Sequence, residues 1–152
     1  MKKIELICVG KIKEPYLKEA IAEYQKRLTR FCNLSIIELK DEGYNIAVAT
    51  AKESAAIATK ISNDVSILLD IEGEQITSKA LASYIDKAFT NGATKVQFII
   101  GGSHGVDSAI KNAATKKISF GRITYPHQLI RVVCLEQIYR SMCILANVPY
   151  HK

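Results

Sequence analysis

The chain has 152 residues, 48% of them apolar, with three prolines and a net charge of +6. That is the length of one domain with enough apolar content to bury a core. The absence of low-complexity runs and repeats excludes linkers and solenoids, and no apolar run is long enough to span a membrane.

Residues 1–10 begin basic and apolar, as a signal peptide does. The apolar stretch is short, however, and holds Glu5, so residues 3–9 read as a first strand of a soluble, cytoplasmic protein. Pro15 opens a helix over 15–28, with Tyr16, Ala20, Tyr24 and Leu28 on one stripe. Residues 34–39 form a second strand, and the Ala-rich stretch 46–61 is helical by propensity. Residues 66–70 are a short apolar strand of the kind buried on both faces. Thr77 or Ser78 caps a helix that Asn91-Gly92 stops. A strand over 96–100 runs into Gly101-Gly102-Ser103-His104-Gly105. A short helix (109–114), a strand (117–120), a loop and a long helix (126–146) follow.

This alternation predicts an α/β domain: one mostly parallel sheet with helices on both faces. Ligands in such sheets sit beyond the carboxyl ends of the strands, where 70–73, 101–105 and 121–126 lie. The last helix is apolar nearly all the way round, where a surface helix shows one stripe. Either a second subunit covers part of it or it is central to its own core.

Charge is unevenly spread. Residues 31–110 carry six Lys or Arg against ten acids, whereas 111–152 carry seven against Glu136 alone. A basic end beside an acidic middle points to a polyanion, with nucleic acid the leading candidate. Cys8, Cys32, Cys134 and Cys143 form no metal or redox spacing and read as reduced small hydrophobes, with no metal bound.

The turn at 101–105 matches the G-x-S-x-G pattern of a hydrolase nucleophile elbow, for which Asp107, His127 and His151 supply partners on paper. The alternative is a glycine turn that lets a ligand approach the backbone. No dinucleotide fingerprint follows the first strand, so a cofactor site belongs to the C-terminal half, about 66–152.

Several segments then occur in order: Leu68-Leu69-Asp70-Ile71-Glu72-Gly73, Phe98 through Gly105, Ile118 through Arg131, Glu136-Gln137-Ile138-Tyr139-Arg140, and Pro149-Tyr150-His151-Lys152. Together with Val9-Gly10-Lys11 and Glu23 through Arg27, this series resembles the SPOUT-class methyltransferases over the whole chain. Within them it resembles the RlmH family, which methylates N3 of a pseudouridine in large-subunit ribosomal RNA. The resemblance implies a single SPOUT domain over 1–152 with a trefoil-knotted C-terminal half. It also implies a homodimer, action on 23S RNA in the assembled ribosome, and S-adenosylmethionine held by Leu69, Gly101 and the loop Gly121, Arg122, Ile123, Thr124, Tyr125 and Pro126. Gly121 stands where the family usually has a second serine, so a side-chain hydrogen bond there must come from elsewhere.

An imide N3 must lose its proton to attack a sulfonium methyl, which a cation or a base would favour. Arg140, Tyr150 and His151 are the candidates, with Glu136 either catalytic or the partner of Arg140 in a helix ion pair. Lys11, Lys13, Arg122 and Arg131 are candidate RNA phosphate contacts, and His127 reads as structural. A ribosome- or RNA-binding module without catalysis is the competing reading.

Overall fold

A computed structural model describes all 152 residues, Met1–Lys152. Ten elements alternate: β1 (Lys2–Val9), α1 (Pro15–Leu28), β2 (Cys32–Leu39), α2 (Ile46–Ala58), β3 (Val65–Gln75), α3 (Ser78–Thr90), β4 (Lys95–Ile100), α4 (Ser108–Ala113), β5 (Lys116–Ser119) and α5 (Leu129–Leu145). The strands form one parallel sheet in the order β2-β1-β4-β3-β5. Every element expected from the pattern is present, and the class is the expected α/β one.

Period-two alternation sorts the strands into two cores. Ile4, Leu6 and Cys8 of β1, with Val96, Phe98 and Ile100 of β4, face the layer of α1, α3 and α5. Ile7, Val9 and Ile99 face Ile57 of α2 and Ile110 of α4. Burying a side chain such as Phe98, with 0% exposure, stabilises the fold by about 1.5–3 kcal/mol. All four cysteines are free and buried, and burial pushes the Cys8 and Cys32 thiols up to about 11. They act as the small hydrophobes expected.

The boundaries differ by three residues or more in three places, each with a local cause. Helix α2 ends at Ala58, with Thr59 as its C-cap. Helix α5 begins at Leu129, although Pro126 O already accepts from Ile130 N. Strand β3 continues to Gln75 because its pairing with β5 resumes after a bulge: Leu69 and Glu74 both align with Ile118. Gly73 permits this close passage, since a Cβ there would lie 2.8 Å from Ile118 N.

Helix α5 lies between α1 and α3, against the sheet. Neighbours of its own chain therefore account for much of its all-round apolarity. Leu129 stays 39% exposed, as do Ile71 at 52% and Ile123 at 74%.

Candidate active site

Three loops converge at the carboxyl edge of the sheet around a cavity of about 460 Å³. The end of β3 contributes Leu69, Asp70 and Ile71, and the turn after β4 contributes Gly101, Gly102, Ser103 and Gly105. The segment after β5 contributes Gly121, Ile123, Thr124, Tyr125, Pro126 and His127. Ile100, Ile118, Phe120 and Ile130 add apolar surface, and Asp70 is the one acidic side chain in the lining. A cavity of this size, with apolar walls beside several polar groups, suits a nucleoside-sized ligand.

The backbone of these turns is fixed from within. Gly121 takes φ +110, a conformation that favours glycine. The side-chain hydrogen bonds at this turn come from Ser119, whose Oγ donates to Gly121 O at 2.9 Å and accepts from Gly121 N at 3.2 Å. Any Cβ at Gly101 would meet Val106 Cγ1 at 2.9 Å and Gly105 C at 3.0 Å, so the turn itself, before any ligand, requires glycine. Behind Gly102 stands the buried Glu53, whose Oε1 lies 2.5 Å from where a Cβ would be. Its other oxygen accepts from Glu42 N. Ser54, also buried, accepts from Asp107 N, so α2 braces the glycine turn from below.

Arg122 is exposed at the rim and does not line the cavity, unlike its neighbours. Asp70, Ile71 and Gly102 line it from within the segments 70–73 and 101–105 expected at this edge, while Ile100, Ile118, Ser119, Phe120, His127 and Ile130 lie outside the expected segments. Asp70 and Ile71 belong to the β3 bulge, whose geometry no sequence signal marks in advance.

The four residues singled out for the chemistry form one cluster at the C-terminal part of α5. Arg140 donates twice to Glu136 Oε1, from Nε at 2.9 Å and Nη2 at 2.5 Å, and Tyr150 OH donates to the same oxygen at 3.0 Å. Partial burial and the Glu136 carboxylate push the Tyr150 phenol up to about 12. Arg140 Nη1 lies 3.2 Å from His151 Nδ1. Arginine only donates, so Nδ1 accepts and the imidazole carries its proton on Nε2. Gln137, which the sequence does not single out, donates to Glu136 Oε2 at 2.9 Å and accepts from Ser78 Oγ at 2.8 Å. Tyr150 docks the tail, its ring packing edge-on against Tyr139 at 4.8 Å, while Pro149 stays exposed.

A second, smaller cavity, between α3 and α5, shares Phe120 and Tyr125 with the first and reaches Gln137. Ten residues of α5 separate Ile130, which lines the first cavity, from Arg140, a rise of about 15 Å along the axis.

Arg131 corrects an expectation. It is 1% exposed, paired with Glu38 at 2.6 Å, and donates to the carbonyls of Val9 and Gly10 at 3.2 and 3.1 Å. Its guanidinium pins α5 to the ends of β1 and β2 and is not available to RNA phosphate. Lys11 and Lys13 are exposed on the loop after β1. The hydrolase reading also fails. Asp107 caps α4 through Ile110 N, and His151 is engaged by Arg140, while Ser103 lies exposed. No group of three or more His, Cys, Asp or Glu side chains is placed to hold a metal, and no helix is long and apolar enough to cross a membrane.

Comparison with known proteins gives a consistent result. The family described as "Predicted SPOUT methyltransferase" matches residues 1–151. The ribosomal RNA large subunit methyltransferase H of Fusobacterium nucleatum is 45% identical, covering 98% of this chain and 99% of the relative. Its namesakes in Streptococcus uberis and Bacillus pumilus are 50% and 46% identical, covering 99% and 98% of this chain and 99% of each relative.

Proposed function

This chain belongs to the SPOUT methyltransferase family, and we propose that it moves a methyl group from S-adenosylmethionine to N3 of a pseudouridine in large-subunit ribosomal RNA. The assembled ribosome is the substrate and a homodimer the working form, and the family carries with it the knotted C-terminal half. The observation that supports this reading best is the convergence of three loops on one glycine-walled cavity at the sheet's carboxyl edge.

In the reaction the N3 lone pair forms the new N–C bond while the C–S bond breaks. S-adenosylhomocysteine leaves, and the imide proton passes to solvent. The cofactor supplies an already activated methyl; the chain's own part is to align nucleophile, carbon and sulfur, which is worth about 7–11 kcal/mol. Gly101, Gly102 and the loop 121–126 hold the adenosine side through backbone groups. At the other side the Arg140 guanidinium and His151 Nε2–H stabilise the anion that N3 becomes, the histidine donating to an imide carbonyl. The Arg140–Nδ1 contact makes this a donor's role, whereas the sequence also allows a base. Glu136 and Tyr150 hold that arrangement in place.

The tail cluster sits about 15 Å along α5 from the cavity of its own chain, so a composite site in which one subunit's tail serves its partner's cofactor follows from the dimer. The exposed Ile71, Ile123 and Leu129 near the cavity mouth supply apolar surface for that contact.

Calorimetry with S-adenosylmethionine tests the reading directly. Micromolar binding by a species of twice 16.8 kDa supports it. A monomer without cofactor affinity would instead be a ribosome-binding module.

A further inference from the structure

Helix α1 ends in a basic turn, Lys26 and Arg27, with Arg30 just beyond it. The helix dipole alone favours cations there, but these side chains are also held by rings. The Arg27 guanidinium lies 5.5 Å from the Tyr24 ring centroid and 5.7 Å from that of Tyr139. Tyr139 packs on Tyr150, and Arg140 covers Tyr150 at 4.8 Å while reaching His151. Arg30 covers Phe31 at 4.8 Å, and Phe31 stands 6.1 Å from Tyr139. The result is one chain of packed rings, Tyr24, Phe31, Tyr139 and Tyr150, flanked by the guanidinium groups of Arg27, Arg30 and Arg140, running from the end of α1 to the tail.

Few carboxylates neutralise it. Glu23 pairs with Arg27 and Glu136 with Arg140, while neither Lys26 nor Arg30 has an acidic partner. All three basic residues are exposed.

Building on the RNA methyltransferase reading above, we propose that Lys26, Arg27 and Arg30 form a subsite for the phosphodiester backbone of the RNA strand beside the target nucleotide. A guanidinium laid on an aromatic face is already oriented, so less freedom is lost when its outer edge takes a phosphate oxygen. Because these rings end beside His151, a strand gripped on α1 is led toward the group that acts on the base. RNA is recognised elsewhere by this pairing of basic contacts with ring and arginine planes.

The test is binding of the fluorescently labelled dimer to unmodified ribosomes across a salt series. The double variant R27A/R30A should raise the dissociation constant at least about tenfold. The slope of log affinity against log salt should fall by about 1.4–1.8, at roughly 0.7–0.9 for each phosphate no longer neutralised. Arg27→Lys should keep most of the slope while still weakening binding, since charge is retained but the planar fork is gone. Cofactor affinity and dimer mass should stay as they are. Unchanged binding and slope overturn the proposal. So does weaker binding with an unchanged slope, or with dissociation of the dimer, because the arginines would then act only through packing. Methyl incorporation by the unaltered chain is scored separately. Ribosome binding that depends on Arg27 and Arg30 in a protein that never methylates would keep the subsite and remove the enzyme.

Discussion

The cofactor cavity and the tail cluster are built from different materials. The cavity is shaped by backbone: Gly121 at positive φ, Gly101 packed against Val106, and a turn held by Ser119. The cluster is shaped by side chains, with Glu136 at its centre accepting from Arg140, Tyr150 and Gln137. A wall of backbone tolerates almost no change and fails all at once. A network of side chains can lose one donor and keep the rest, although its bonds polarise one another and the losses are not additive.

The sharpest way to separate the two regions is to delete residues 150–152. Methyl transfer to ribosomes should disappear, while calorimetry finds S-adenosylmethionine binding within about twofold of the intact chain. Full-rate methylation by the shortened chain would show the tail to be a passive appendage. His151→Ala should lower the single-turnover rate by about 10²–10³, the usual cost of removing one donor to a developing anion. A rate that falls less than tenfold would leave the histidine only a phosphate contact.

Gly101→Val attacks the other region. The new side chain collides with Val106 and Gly105 even in the empty protein, so cofactor affinity should drop by more than about tenfold, with some loss of thermal stability. Normal binding by this variant would move the cofactor elsewhere.

Alkali should loosen the cluster before the cavity. The Tyr150 phenol is pushed from 10 in an ordinary setting to about 12. Below pH 10 it is protonated whether docked or free, and its contribution to docking is whole. Between pH 10 and 12 only the docked form keeps the proton, so stability falls as pH rises. Ultraviolet titration should show Tyr150 among the late-ionising tyrosines, beside Tyr84 and Tyr139, whose phenols are also raised, and Tyr150→Phe should remove one late step. The smallest effect belongs to Ser103→Ala, which should change methylation by less than about twofold because this hydroxyl has no histidine partner. Loss of activity there would revive the nucleophile elbow.

Which parts are legible in the sequence follows the same division. Alternating strands and helices, and glycines at strand ends, are local signals, and they locate the sheet and all three cavity loops. What they do not announce is the β3 bulge at Ile71-Glu72-Gly73, a consequence of β5 pairing. Arg131 misleads because a charge does not reveal its partner: Glu38 lies 93 residues away. Likewise the approach of Arg27 to Tyr139 joins two helices far apart in sequence. The Glu136–Arg140 pair follows from their i,i+4 spacing, whereas the approach of Tyr150 and His151 to it is foreseen only through family resemblance.

The strand order also sets a timetable for synthesis. Strand β1 is interior, flanked by β2 and β4, yet its second neighbour is completed only at Ile100. At about 5–20 residues per second, that neighbour follows β1 out of the ribosome after roughly 5–20 s. For that interval Ile4, Leu6 and Ile7 belong to an open edge, a template for wrong pairing. Parallel pairing over such separations is slow even for the full chain. Refolding after dilution from denaturant should therefore be slow and sensitive to protein concentration, with early aggregates seeded by the chain's first strand.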